Sequence, residues 1–336
     1  MTTRTPIPGS VWRVAFADWR FPGAAEMGIG PLLLGLGFWS VMGINLLVLR
    51  SRPFETLLVL AAIHCIACLL HECGHAAASL LLGYQVAGIR IGPLHATRRK
   101  RGWGVRLDWK QSIDGGCVMS VPPRRGVSRW QVAAIFAAGP LTHLAALLWV
   151  ALGWRFWLRV APDWCVPILL VSAAGLAINL APRRSGLIVS DGARLLQFLR
   201  AEPAAAHCAA YELFGRAYRG ELRVSHDPAL ADLAASCGPY ALDRYGGNLL
   251  AYGWAAACGD WTRAAAYLDS ALAAAEELDL PRGARVFHVV ARAHVRRRTG
   301  APPDVRECVR QLHVTSRTDL VGHVLLSLRD RLGPLG

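Results

Sequence analysis

Three features are scarce or missing in this sequence, and each excludes a class of protein. No short apolar segment ending in a small-residue cleavage site follows Met1, so we expect no removable signal peptide. The nine cysteines are an odd number without the paired spacing of a disulfide scaffold, so free buried thiols are expected. Acidic residues are rare in residues 1–199, which contain 8 Asp+Glu and 20 Lys+Arg.

The position of this basic charge argues against nucleic acid as a partner. The formal net charge is +14, which in a soluble domain would suggest a polyanion. Residues 200–336 are almost balanced, however, with 17 Lys+Arg against 15 Asp+Glu. The excess therefore flanks the apolar segments of the first 199 residues, and this distribution is typical of membrane topology.

Long apolar runs are abundant, and 54% of all residues are hydrophobic. A bilayer core of about 30 Å takes about 20 helical residues. Four segments reach that length. Tryptophans lie at the ends of the third and fourth segments, as expected where indole rings settle at the depth of the lipid headgroups. These segments are residues 29–49, 54–82, 130–154 and 164–182. The sequence therefore predicts an all-α membrane protein with about four transmembrane helices.

The loop between the second and third predicted spans sets the topology. Residues 84–129 carry ten Lys+Arg against two Asp, so the loop and, with four spans, both termini are expected in the cytoplasm. Within it, residues 86–91 and 104–109 alternate apolar with polar or small residues and predict a small β-ribbon. We expect a multi-pass protein of a bacterial inner membrane, with a cytoplasmic segment at 1–28 and a transmembrane domain at 29–199.

The composition changes near residue 200. Residues 200–336 are rich in Ala, Leu, Arg and Glu with helical periodicity and several proline breaks, which predicts a soluble all-helical domain. Residues 249–275 have the small and large positions of a helix-turn-helix hairpin and resemble one tetratricopeptide-type repeat. A plain helical bundle is the alternative. Either form could bind a protein partner.

A short polar motif lies near the end of the second predicted span: His71-Glu72-Cys73-Gly74-His75. Histidines four residues apart on a helix project from one face, so their Nε2 atoms can share a metal ion, and the glutamate beside them can accept a proton from water. The alternative is polar packing between helices. An ionisable glutamate within a span costs roughly 2.5 to 3.5 kcal/mol, and such groups usually serve a function. The context therefore favours a metal site.

Two histidines do not complete a catalytic zinc site, which typically has three protein ligands. The last predicted span ends in Asn179-Leu180-Ala181-Pro182, and Asp191 follows at the start of another short helix. A carboxylate after a broken span can be directed back toward the bilayer edge. Asp191 is thus the candidate third ligand, with a helix N-cap as its alternative role.

At this point the chain resembles the site-2 protease family of intramembrane metalloproteases. The resemblance covers residues 55–199 and leaves the C-terminal domain outside. It is carried by the motif at 71–75, by Ala138-Gly139-Pro140 in the next span, and by residues 179–182 followed by Ser190-Asp191-Gly192.

The resemblance implies a role for each matching residue. His71, His75 and Asp191 would ligate one Zn²⁺, and Glu72 would be the general base. Asn179 would orient the substrate or the developing oxyanion. The implied reaction is the hydrolysis of peptide bonds in or near transmembrane segments of membrane-protein substrates, as in regulated intramembrane proteolysis.

Several other positions keep more than one interpretation. His143 stands where the family often has asparagine, and it either donates a hydrogen bond or faces other helices. His64 and Cys68 share the helical face of His71 and either line a water path, hold a second ion or pack between spans. Gly139-Pro140 is interpreted as a kink or a close helix contact.

Two other functions remain open from the sequence. One is a membrane scaffold or receptor with a structural or lost metal site, which the absence of stoichiometric zinc would favour. The other is a metal transporter, which metal flux in proteoliposomes would reveal.

Overall fold

The computed structural model describes residues 53–99, 102–107, 116–160, 162–185, 188–222, 227–238, 240–278, 280 and 282–300. The predicted segments 1–28 and 29–49 lie outside these residues, as does the end of the C-terminal domain beyond residue 300. The described chain divides into two compact units between Gly215 and Arg216. It is mostly helical, with a small antiparallel four-stranded sheet.

Helices and a sheet alternate in the first unit. Its elements in chain order are α1 (Pro53–Leu81), β1 (Gln85–Ile91), β2 (Leu94–Arg99), β3 (Gly102–Leu107), β4 (Gly116–Val121), α2 (Arg129–Leu152), α3 (Trp154–Val160), α4 (Pro162–Leu180), β5 (Arg184–Ser185), β6 (Ile188–Val189) and α5 (Asp191–Leu199), after which α6 (Ala201–Arg219) crosses the boundary between the units. α1 packs against α2 and α4, and α2 also packs against α5.

Two described helices, α1 from Leu58 and α2 over its whole length, are long and apolar enough to cross a membrane. The hydrophobic windows of these two helices are only 22% and 28% buried, whereas the core helix of a soluble protein would be mostly buried. Large apolar side chains such as Leu70 and Leu148 are about half exposed on their outer faces. The predicted span at 164–182 is present as part of α4, which is apolar but shorter, so the count of four spans stays a prediction.

The sheet differs from the predicted ribbon. Its strand order is β3-β2-β1-β4, so β1 and β3 are not neighbours, because β2 lies between them and pairs with both. The predicted pairing of residues 86–91 with 104–109 was therefore wrong. Arg98 and Arg99 lie in β2, between the two predicted strands. β4 pairs with β1 and forms one edge of the sheet.

The second unit is helical throughout its described part. Its helices are α7 (Pro228–Ala235), α8 (Ala241–Cys258), α9 (Trp261–Glu276) and α10 (Arg282–Arg298). Gly259 ends α8 in the left-handed conformation, with a φ of 83°, and Asp260 caps α9, so the turn chemistry explains the hairpin predicted over 249–275. Its resemblance to a tetratricopeptide-type repeat stays a prediction.

Candidate metal centre

The two histidines of the motif lie on one face of α1, one turn apart. Each is 7% exposed, and Glu72 between them is 6% exposed. The Nε2 atoms of His71 and His75 are 3.1 Å apart. The four-residue helical spacing therefore brings two imidazole nitrogens to one point, as the sequence predicted.

Asp191, far along the chain on α5, joins the same point. Its Oδ2 atom lies 3.0 Å from Nε2 of His71 and 3.4 Å from Nε2 of His75. Burial raises the pKa of the Asp191 carboxyl, but the two adjacent imidazoles outweigh burial, so that pKa is lowered and the carboxylate form is favoured. Within the described part of the chain, these three residues form a group that could hold a metal ion.

The spacing of the three donor atoms fits a tetrahedral metal ion. Zinc binds imidazole nitrogen at about 2.0–2.1 Å, so two donors on one tetrahedron are about 3.3 Å apart. The observed separations of 3.0, 3.1 and 3.4 Å surround this value. The buried Oε2 atom of Glu72 has no hydrogen-bond partner among the described residues, as expected of a carboxylate beside a bound ion and its water.

The break after α4 directs Asp191 toward the cluster. Ser190 caps α5, because its Oγ accepts from the Ala193 N–H at 3.3 Å and donates to the Ala181 carbonyl oxygen at 2.6 Å. Asp191 is therefore not the N-cap, and its carboxylate is left for the cluster. A side chain at Gly192 would collide with the backbone of Leu180, so glycine permits this close return of the chain.

Removing the cap should loosen the metal centre without removing a ligand. We expect Ser190→Ala to destabilise the protein by about 1 kcal/mol through the lost cap. We also expect a loss of roughly 10- to 100-fold in zinc affinity, because Asp191 loses the support that fixes its direction. Competition with a chelator measures the affinity. Asp260→Ala is the control, since it removes the equivalent cap of α9 and should leave zinc affinity unchanged.

Residues of α2 fix the direction of His75. Its Nδ1–H donates to the Ile135 carbonyl oxygen at 2.6 Å, which leaves the lone pair of Nε2 free for a metal. Pro140 lies inside α2, and a proline loosens the backbone hydrogen bonds of the turn before it. A Cβ atom at Gly139 would lie 2.7 Å from Nε2 of His71 and closer still to Nε2 of His75.

The edge strand β4 runs beside α1 and reaches Glu72. A side chain at Gly116, the first residue of β4, would overlap the Glu72 carboxylate. Further along, the hydroxyl groups of Ser79 and Ser120 are hydrogen-bonded at 2.7 Å. The seven residues from Glu72 to Ser79 rise about 10 Å in a helix, and the four from Gly116 to Ser120 span about 13 Å in a strand. The close approach at Gly116 and the hydrogen bond at Ser120 thus place β4 alongside the motif.

His143 and Asn179 lie near the same glycine of α4, Gly175. His143 is buried, with its ring centroid 5.2 Å from that of His71, and a side chain at Gly175 would overlap its imidazole. The Asn179 amide donates to the Gly175 carbonyl oxygen at 2.8 Å, which is a contact within its own helix. His143 therefore borders the cluster, while a role of Asn179 toward substrate stays a prediction.

Three residues of the centre did not carry a site role in the sequence analysis: Gly139, Gly116 and Ser190. Gly139 belonged to a motif of the family resemblance, and its place before a proline within a span predicted close packing, but neither signal identified the side chains that it packs against. Ser190 precedes the Asp191 of the motif, and a serine in that place is a favoured N-cap. Nothing in the sequence pointed to Gly116.

Comparisons with protein-family models, with curated proteins and with solved structures found no match for this chain. The interpretation of the centre therefore rests on its motifs and its geometry.

Proposed function

We propose that this chain is an intramembrane zinc metalloprotease of the site-2 protease type. The observation that carries the proposal is the convergence of His71, His75 and Asp191 within tetrahedral spacing, with the Glu72 carboxylate adjacent in sequence and buried with them. Three protein ligands leave one position open, which is typical of catalytic zinc sites, whereas structural sites have four. The imidazole of His143 borders His71 but is not in the ligand group, which agrees with an open position.

A zinc ion in this centre would polarise a scissile carbonyl and lower the pKa of water. Glu72 is the general base: it takes a proton from the water whose oxygen bonds to the carbonyl carbon. As the C–N bond breaks, Glu72 returns that proton to the leaving amine. The free Oε2 atom of Glu72 suits this role, because a carboxylate already engaged with a neighbouring donor would be a weaker base.

Two features support a position within a membrane. The outer faces of α1 and α2 are apolar and exposed, while the motif side chains of α1 and His143 of α2 are buried. An intramembrane ionisable cluster of this kind is a functional site by default. We accordingly propose a multi-pass protein with four spans in a bacterial inner membrane, with both termini in the cytoplasm.

The substrate class is a membrane protein with a transmembrane segment. A helix hides its peptide bonds in backbone hydrogen bonds, so the substrate must unwind locally before hydrolysis. The edge of β4 beside Glu72 offers free backbone groups to an opened strand, so we propose that the substrate pairs there. Cleavage at this end of α1 would release a cytoplasmic fragment. The C-terminal helical unit is the proposed docking site for a protein partner.

The test compares membrane-protein fragments released by the wild type and by Glu72→Ala in the same cells. We expect a set of cytoplasmic fragments that appears only with the wild type, since removing the base stops hydrolysis while the three ligands remain. Mass spectrometry identifies the fragments and hence the substrates. Cys73→Ala is the matched control, because Cys73 is the next residue, lies exposed on another face of α1, and should leave every fragment in place.

If the wild type and Glu72→Ala release identical fragments, Glu72 is not the general base of the reaction. The zinc content of the same preparations distinguishes loss of the base from loss of the metal. Because Glu72 is not one of the three ligands, Glu72→Ala should retain about one zinc per chain.

A further inference from the structure

A phenylalanine anchors the short helix that carries Asp191. Phe198 lies seven residues after Asp191 on α5, so the two side chains lie close to the same face of the helix, two turns apart. The Phe198 side chain is fully buried, with 0% of its surface exposed. With nine residues, α5 is too short to be a stable helix by itself, so its orientation depends on what its apolar side packs against.

The ring of Phe198 stacks on the ring of Phe136 in α2. Their centroids are 6.0 Å apart and their planes are within 16° of parallel, which is within the range that aromatic pairs prefer. On its other side, Phe136 meets the imidazole of His75 edge to face, with centroids 6.4 Å apart and an angle of 71° between the planes. Phe136 therefore contacts both a metal-binding histidine and the anchor of α5.

The same turn of α2 also holds His75 by a hydrogen bond. Ile135, next to Phe136 in the chain, supplies the carbonyl oxygen that accepts from Nδ1 of His75 at 2.6 Å. Because both contacts come from consecutive residues, a movement of this turn would change the direction of the His75 ring and the support of Phe198 together. His75 of α1 and Asp191 of α5 are thus connected through one aromatic pair.

Two rings of α6 close the opposite side of Phe198. The ring centroids of His207 and Tyr211 lie 5.7 and 6.0 Å from the centroid of Phe198. The Phe198 ring is therefore held between α2 and α6, and it cannot turn away from Phe136 without displacing a neighbouring ring.

A small rotation of α5 would be enough to disturb the metal centre. The Cα atoms of a helix lie about 2.3 Å from its axis and an aspartate carboxylate roughly 5 Å from it, so a rotation of about 10° moves the carboxylate by about 0.9 Å. Site residues must be held within about 0.5 Å of their productive geometry. The cap at Ser190 fixes where α5 begins, whereas its rotation is fixed by contacts further along the helix.

We infer that Phe136 and Phe198 are positioning residues of the metal centre. Their stacking fixes the rotation of α5 and so places the Asp191 carboxylate opposite His75. Neither ring offers a ligand atom, so both act only through the residues that they hold. This inference rests on the metal centre of the proposed function and does not depend on the proposed hydrolysis.

Leucine variants of the two phenylalanines test the stack in the full-length protein in detergent. Leucine keeps an apolar side chain at each position and removes the ring. We expect Phe136→Leu and Phe198→Leu each to lower zinc affinity roughly tenfold, as the loss of a supporting residue of a metal site does. Competition with a chelator measures the affinity. Because either substitution breaks the same stack, the double variant should also lose roughly tenfold, not the roughly 100-fold expected of two independent effects.

Co²⁺ in place of Zn²⁺ reports the arrangement of the ligands separately from the affinity. Its ligand-field bands in the visible depend on the geometry around the ion, so the leucine variants should shift or weaken these bands.

Val132→Ala is the matched control for a defect of packing alone. Val132 is 1% exposed in the same hydrophobic core and lies one turn before Phe136 on α2, so its truncation leaves a cavity without removing a ring. It should lower the Tm, as the leucine variants do, but keep the zinc affinity and the Co²⁺ bands of the wild type.

Equal losses of zinc affinity in Val132→Ala and Phe198→Leu, or fully additive losses in the double variant, would overturn the inference. If Phe198→Leu does not fold, the comparison of Phe136→Leu with Val132→Ala decides, because Phe136 is only half-buried and its leucine variant should fold.

The wild type separates this inference from the proposed function. If it binds zinc but releases no fragment in cells, and the leucine variants lose affinity, the protease assignment fails and the positioning role stands. If fragments are released and the leucine variants bind zinc as tightly as the wild type, the positioning role fails alone. A wild type that binds no zinc overturns both.

Discussion

Asp191→Ala is expected to purify without zinc while both units stay folded. The carboxylate supplies one of three donors, and two histidines one turn apart form only a weak chelate. The loss in affinity should exceed the roughly 100-fold that removal of a mere supporting residue can cost. Elemental analysis of the purified protein measures the metal per chain. Added zinc should also stabilise the wild type, by about 2.7 kcal/mol at a free concentration 100 times the Kd, and should not stabilise the variant.

Asp191→His is the companion variant, because imidazole is a zinc ligand of similar reach. It should recover part of the zinc content that Asp191→Ala loses, whereas a residue needed only to start α5 would gain nothing from histidine. Since Ser190 already caps α5, the loss of Asp191 costs little helix stability. Stoichiometric zinc in Asp191→Ala would contradict its role as a ligand.

Local patterns were enough to predict the parts of the centre that lie on one helix. His71, Glu72 and His75 are related by helical spacing alone, so their common face followed once α1 was recognised as a helix. Asp191 could be predicted because Pro182 ends the preceding span, and a carboxylate shortly after a broken span can be directed back toward the bilayer edge. The hairpin of α8 and α9 was likewise predictable from local turn chemistry at Gly259 and Asp260.

Features that depend on long-range packing could not be predicted. The contact of Gly116 with Glu72 joins positions more than forty residues apart and requires the order of strands in the sheet, which the sequence does not encode locally. β4 itself was missed because Gly116–Val121 has no strong alternation of apolar and polar residues. The direction of His75 depends on the Ile135 carbonyl oxygen, a backbone atom with no signature in the side-chain pattern.

Gly139→Ala is expected to fold normally and to lose its zinc. Alanine is favoured over glycine inside a helix by about 1 kcal/mol, so α2 itself should gain stability. The added methyl group, however, would occupy the space between the Nε2 atoms of His71 and His75, where neither imidazole can move away without leaving the cluster. We expect at least the 10- to 100-fold loss of zinc affinity that follows displacement of metal-supporting groups, and a corresponding loss of hydrolysis.

Two other glycines test whether this effect belongs to the metal centre. Gly246 in α8 has open space around an added Cβ, so Gly246→Ala should bring only the helix stabilisation and leave zinc unchanged. At Gly74, a Cβ would meet the Ala138 carbonyl oxygen at 2.6 Å, so Gly74→Ala should disturb the packing of α1 on α2 without entering the ligand cluster. If Gly139→Ala keeps its zinc, or loses no more than Gly74→Ala, then Gly139 serves helix packing and not the metal.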